Sequence, residues 1–242
     1  MSFNSKEPLY LNYLKFMRVF RGTVDTDETA SSVQSEKEEF TFSVPHSKQG
    51  LVTLTSSLKT HTLLTPQDFE SHLPLGWKNH GGLTFMVKKE RSSSGNIRVE
   101  AGVQLAEGNN LQIADDFSVA QCAGFLETPE AHSSWAKFLT EANQKNTENN
   151  DVIFHVARMD GRPVAGAIAV KSQMCKGIYG VATNPKYRKR GLGTLLLNQI
   201  LHDSAVEEIV GLQVETESYA HKYYRKLGFE DIYELRRFKN EN

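Results

Sequence analysis

The sequence predicts an α/β fold, on three observations. From about residue 97 onward, apolar runs of strand length alternate with stretches of helical periodicity. A turn pair, Asp160-Gly161, separates two such runs at 152–158 and 164–170, which reads as an antiparallel hairpin. A glycine-rich turn, Arg188-Lys189-Arg190-Gly191-Leu192-Gly193-Thr194, follows the apolar stretch 177–183 and leads into a helical pattern. A turn in that place frees the first helical N–H groups to hold an anion.

The first hundred residues read differently. Leu9, Tyr10, Tyr13, Leu14, Met17 and Phe20 recur at helical spacing, with Lys15, Arg18 and Arg21 between them, and predict a core-facing helix. Residues 24–38 are acidic and rich in Ser and Thr, which reads as an exposed loop. Phe40, Phe42 and Val44 alternate with polar residues as a strand does, and Leu51, Val52 and Leu54 do so less cleanly. Thr65-Pro66 resembles a helix start, with Thr65 as N-cap and Pro66 in the first position. Gly81-Gly82 reads as a turn leading into a strand that reaches Val87. The run from Arg91 to Asn96 is rich in serine and is the expected boundary, giving an N-terminal α/β region at 1–96 and a second domain at 97–242.

The second region continues with strands at 97–103 and 111–114, a helix at 115–125 and another at 129–143. After the hairpin come a strand at 177–183, a helix at 191–204, a strand at 209–215, a helix at 218–227 and a last strand at 231–238.

Bulk composition narrows the function. The 242 residues carry a net charge of −1, which does not imply a general nucleic-acid surface. The chain has no apolar run long enough to span a bilayer and no signal-peptide core near Met1, so the expectation is a cytoplasmic protein without a membrane partner. Cys122 and Cys175 lie far apart without metal-ligand spacing. They read as reduced thiols, and no metal site is expected.

The glycine turn departs from two phosphate-binding patterns. A nucleotide P-loop needs a lysine after its second glycine, and Thr194 follows Gly193 here. A dinucleotide fingerprint needs a third glycine at 196, which is Leu. The spacing present is Arg-x-x-Gly-x-Gly from Arg188, preceded by Val181-Ala182-Thr183-Asn184-Pro185-Lys186-Tyr187. A second block holds Leu212-Gln213-Val214, Ala220, Tyr223-Tyr224 and Lys226-Leu227-Gly228-Phe229. In order and separation the two blocks resemble the coenzyme A loop and the strand–helix–Leu-Gly-Phe signature of the GNAT (GCN5-related N-acetyltransferase) superfamily. The resemblance covers roughly 100–242. It implies the GNAT fold, a mixed and mostly antiparallel sheet flanked by helices. Residues 1–96 more loosely resemble the degenerate GNAT-like half of two-part family members, and they lack a Gly-x-Gly loop.

The resemblance implies an N-acetyltransferase that uses acetyl-CoA as cosubstrate, with direct attack by an amine on a small molecule or a peptide. Backbone amides from Lys189 to Thr194 would hold the pyrophosphate, Lys189 and Arg190 would add charge or stand in solvent, and Arg188 would contact the cofactor or instead brace the loop. Val181, Ala182 and Thr183 would face pantetheine, with the Val181 amide as oxyanion donor. Tyr224 matches the tyrosine that protonates the departing thiolate. The family often carries Asn seven residues before it, where this chain has Glu217, which removes that Asn contact. Glu215 and Glu217 are the carboxylate candidates for the base, with His155 and His221 beside them, while many family members route the proton through water. Cys175 has no His–acid partner arrangement in sequence and is not expected to be a nucleophile. Phe125, Glu127, Trp135 and Phe138 are candidates for the acceptor pocket. A homodimer is an open expectation. The competing readings are a catalytically inactive coenzyme A-binding regulatory protein and a nucleic-acid-associated protein using the basic cluster at 186–190. The second lacks a reader motif, and no nucleic-acid partner is expected.

Overall fold

The computed structural model describes residues 4, 7–37, 41–57, 62–89, 101–126 and 129–241, with the backbone alone at 129–133. In chain order the elements are α1 (Pro8–Phe20), β1 (Gly22–Thr26), β2 (Ala30–Ser35), β3 (Phe42–Pro45), α2 (Lys48–Thr55), β4 (Thr62–Pro66), a 3-10 turn (Gln67–His72), β5 (Trp77–Lys88) and β6 (Val103–Gly108). They continue with α3 (Leu111–Phe125), α4 (Pro129–Gln144), β7 (Val152–Met159), β8 (Arg162–Ser172), β9 (Cys175–Thr183), a 3-10 turn (Pro185–Tyr187), α5 (Leu192–His202), β10 (Ile209–Glu215), α6 (Tyr219–Lys226) and β11 (Phe229–Asn240). The chain forms two compact units, one of Met1–Lys88 with Gly211–Asn242 and one of Lys89–Val210.

In the first unit the strands run β1-β2-β3-β4-β11-β5-β10, antiparallel except for the β3–β4 pair. The predicted first helix is α1, and its apolar stripe is buried. Tyr13 stacks on Phe42 and meets Phe85 edge-on, and Phe85 stacks on Tyr233 with centroids 4.4 Å apart. Offset and edge-on aromatic pairs of this kind add to the burial of their area.

Four expectations for this unit are corrected. Of the expected loop at 24–38, the described residues 24–37 instead hold most of the β1–β2 hairpin, whose turn is built on Asp27: Oδ1 accepts from the N–H groups of Thr29 and Ala30. Residues 51–54 lie in α2, not a strand, because Ser47 caps it through the Gly50 N–H. Thr65 is not an N-cap. It is a buried residue of β4 paired with Arg236, and Pro66 ends the strand. Gly81-Gly82, expected to form a turn before a strand, lies inside β5.

The second unit is an antiparallel meander, β6-β7-β8-β9. The expected hairpin is β7–β8, with Asp160 at φ 51° and Gly161 at φ 75°, the double left-handed turn such hairpins favour. Consecutive residues of β8 from Val164 to Val170 are buried, so both sheet faces are covered; α3 and α5 pack on it. Residues 111–114, expected as a strand, are instead the first turn of α3, because Asn110 caps it by accepting the Ile113 N–H. Of the expected strand 97–103, residues 97–100 lie outside the described residues, as does the boundary run 91–96; β6 begins at Val103.

Candidate functional site

The second unit holds the glycine turn. Along β9 the pairing with β8 slips: Tyr179 faces Ile168 and Ala182 faces Gly166, so Gly180 and Val181 stand opposite one residue. That is a β-bulge, with Gly180 at φ 59° supplying the left-handed residue it needs. A Cβ on Gly180 would stand 3.1 Å from Phe117 and from the Gln121 amide, both on α3. Farther along, α3 comes close enough at Gly124 that a Cβ there would lie 2.8 Å from the Ala182 side chain. Packing therefore fixes the bulge from behind.

After Thr183 the chain turns. Asn184 accepts from the Lys186 N–H and starts the 3-10 turn at Pro185. Arg188 folds back, its Nε donating to the Thr183 carbonyl at 3.2 Å and its Nη2 to the Gly124 carbonyl at 2.9 Å. Arg188 thus braces the loop, tying strand end, loop and α3 together. Lys189 takes φ 65° and is exposed. Arg190 lies over the Tyr187 ring and reaches the Met159 sulfur. Gly191, at φ 77°, is the N-cap of α5 and offers no side-chain cap, so the N–H groups of Leu192 and Gly193 point out of the helix end. Leu192, Leu196, Leu197 and Ile200 bury the opposite face and hold the helix down. Gly193 and Thr194 are half-buried in the first turn.

Tyr224 lies in the other unit, on the buried face of α6, with its ring edge-on to Phe229. Burial pushes its phenol pKa well above the ordinary value, with Tyr223 adding to the rise, so the group is protonated at neutral pH. Glu215 ends β10 and is exposed. Glu217 sits in the next turn at φ 62° and lines a cavity of about 650 Å³ with Gln67, Thr84, His221, Arg225 and Asp231.

The two candidate histidines, His155 and His221, are both buried. His221 accepts the Glu217 N–H at Nδ1 (3.0 Å), and its Nε2 lies 2.9 Å from Asp231 Oδ1. A nitrogen that accepts an N–H is unprotonated, so Nε2 carries the proton and donates it. Neither nitrogen is left to act as a base. His155 is buried on β7, where burial lowers its pKa to about 4. Cys175 is buried, and burial raises the pKa of the half-buried Cys122. Phe125 is exposed at the end of α3, and Trp135 and Phe138 meet edge-on on α4; Glu127 lies outside the described residues. Sequence reading did not reach Asp231, because its pairing with His221 and Arg225 depends on a bulge in β11 between Asp231 and Tyr233.

The family model of the acetyltransferase (GNAT) domain matches residues 114–241, from α3 to the end of β11. The chain belongs to the GNAT acetyltransferase family. Solved GNAT-fold structures agree in architecture. A functionally unknown conserved protein from Staphylococcus epidermidis aligns with a TM-score of 0.66 at 15% identity, covering 95% of this chain and 97% of that one. A GCN5-related N-acetyltransferase from Kribbella flavida gives 0.62 at 13% identity, covering 96% and 95%. Another from Sphaerobacter thermophilus gives 0.57 at 14%, covering 93% and 84%. At these identities the likeness concerns the fold. Among the described residues, no helix is long and apolar enough to cross a membrane.

Proposed function

We propose that this chain is an N-acetyltransferase that moves the acetyl group of acetyl-CoA directly to an amine acceptor, a small molecule or a peptide. The observation that carries the reading is the uncapped N-terminus of α5 at the left-handed Gly191, set behind a bulged strand and an arginine-braced loop. A helix end of this kind favours a pyrophosphate through its dipole and its free N–H groups. Glycines at 191 and 193 let the phosphates reach the backbone, and the exposed Lys189 adds charge.

Pantetheine then lies along residues 181–183, and the Val181 N–H, taken out of register by the bulge, polarises the thioester oxygen. One such donor contributes roughly 3 kcal/mol to a transition state. The amine nitrogen forms its bond to the acetyl carbon, the carbon–sulfur bond breaks, and the sulfur leaves with the electron pair. Tyr224 gives the thiolate a proton and regains one from water. Its burial keeps the phenol protonated, and the same desolvation makes a thiolate released there more basic. The proton shed by the amine goes to Glu215, to Glu217 or to water.

Titration with acetyl-CoA, NAD and ATP tests the reading, and selective binding of acetyl-CoA is expected. Gly191→Glu, which sets a side chain and a negative charge where phosphate should sit, is expected to abolish that binding. Unchanged affinity in the variant overturns the site. Acetyl-CoA binding without thiol release on any amine of a broad panel favours a coenzyme A-binding regulatory protein instead.

A further inference from the structure

We infer that His221 is a positioning residue for Tyr224, acting through the turn that starts α6; the inference rests on the proposed acid role of Tyr224. Four observations meet at this ring. It is almost fully buried, at 4% exposure. Its Nδ1 accepts the N–H of Glu217, a non-glycine residue held at φ 62°. Its Nε2 donates to Asp231, which stands at the bulge in β11 and also pairs with Arg225, one turn farther along α6. Its own N–H is capped by Ser218 Oγ at 3.1 Å.

A left-handed backbone at a non-glycine residue persists only where its surroundings enforce it. Here the enforcing contact is the ring nitrogen. The bulge turns Asp231 toward the helix, Asp231 fixes the ring and its tautomer, and the ring holds the turn. Tyr224 follows three residues later on the same buried face, so the direction in which α6 leaves the turn sets where the phenol lies. Arg225 completes the clamp from the next turn of the helix. The ring is a positioning group rather than a catalytic one, since both nitrogens are spent on protein partners.

Two amides separate the two bonds. In His221→Asn the side-chain oxygen replaces Nδ1 as acceptor for the Glu217 N–H; in His221→Gln the amide nitrogen replaces Nε2 as donor to Asp231. Turnover by thiol release and acetyl-CoA affinity by calorimetry are measured for both, each alone and combined with Tyr224→Phe, with near-ultraviolet circular dichroism as the folding control. The expected result is a kcat lowered about tenfold to a hundredfold in His221→Gln, near wild type in His221→Asn, with acetyl-CoA affinity unchanged in both. In the Tyr224→Phe background, itself slow, the His221→Gln loss disappears, because the two residues act on one step. Losses that multiply, or an Asn variant as slow as the Gln variant, overturn the inference and leave the acid role of Tyr224 intact. Full turnover in Tyr224→Phe alone overturns the acid role, and the inference with it.

Discussion

His155 shows how one buried side chain links protonation to stability. Desolvation lowers its pKa from an ordinary 6.5 to about 4, with Lys176 assisting and Asp203 and Gln199 opposing. Its Nδ1 stands 3.2 Å from Glu107 Oε2, off the line of a hydrogen bond. As pH falls below 6.5 the unfolded chain takes the proton first, so the folded state loses stability until about pH 4, where both forms are protonated. The full shift corresponds to about 3 kcal/mol. Glu107 acts in the opposite sense: burial raises its pKa, with Asp203 adding to the rise, so the folded state takes that proton first and gains stability as pH falls. Urea unfolding of wild type and of a His155 variant, each at pH 7 and pH 4.5, separates the histidine from Glu107. His155→Gln is expected to lose less stability over that interval than wild type; equal losses would show that the ring does not set the acid response. In sequence, His155 and His221 carry the same signal, a lone histidine with a suitable ordinary pKa. Only their partners separate a neutral core residue from a turn clamp.

The bulge in β9 makes its own prediction. Gly180→Val places a β-branched side chain at φ 59°, with its Cβ 3.1 Å from Phe117 and Gln121. Strain of this kind costs on the order of 1–3 kcal/mol, and relaxing it realigns Val181 with β8. Denaturant unfolding should show the loss, and calorimetry should show weakened acetyl-CoA binding; a destabilised variant with full affinity would separate the bulge from the cosubstrate. The glycine itself was visible in the sequence, but its φ was not. The same division runs through the other elements. The β7–β8 hairpin, α5 and α6 were legible because their signals are local: a turn pair, an apolar stripe, a glycine at the N-cap. Residues 51–54 and 111–114 were misread because a short apolar run fits either period, and the caps at Ser47 and Asn110 decided it. The β1–β2 hairpin was illegible because its strands are polar and owe their state to pairing. In the candidate site the loop was readable, whereas the tasks of Arg188 and Asp231 depend on carbonyls and rings distant in sequence.

Motif and packing divide the whole chain differently. The signatures place the acetyltransferase region at 97–242, and that boundary stands as a proposal. The compact units instead group Gly211–Asn242 with the first 88 residues. The pairing gives the reason: β11 lies between β4 and β5, and β10 pairs with β5 along 211–215. Both neighbours of β11 thus come from residues 62–88. Phe85, whose ring stacks on Tyr233, comes from there too, as does Lys88, which donates to the Leu227 carbonyl at the end of α6. A fragment of residues 97–242 would keep the glycine loop, yet it would leave both edges of β11 unpaired and its apolar residues uncovered, a template for aggregation. The neighbouring folds match along nearly the full length of both chains, which fits an N-terminal region that is structurally required. The fragment is therefore expected to aggregate or to show unprotected amides across 211–240 in hydrogen exchange, with no turnover. A soluble fragment with protected β11 amides and wild-type thiol release would make 96/97 a true domain boundary and leave the first 96 residues to some other task.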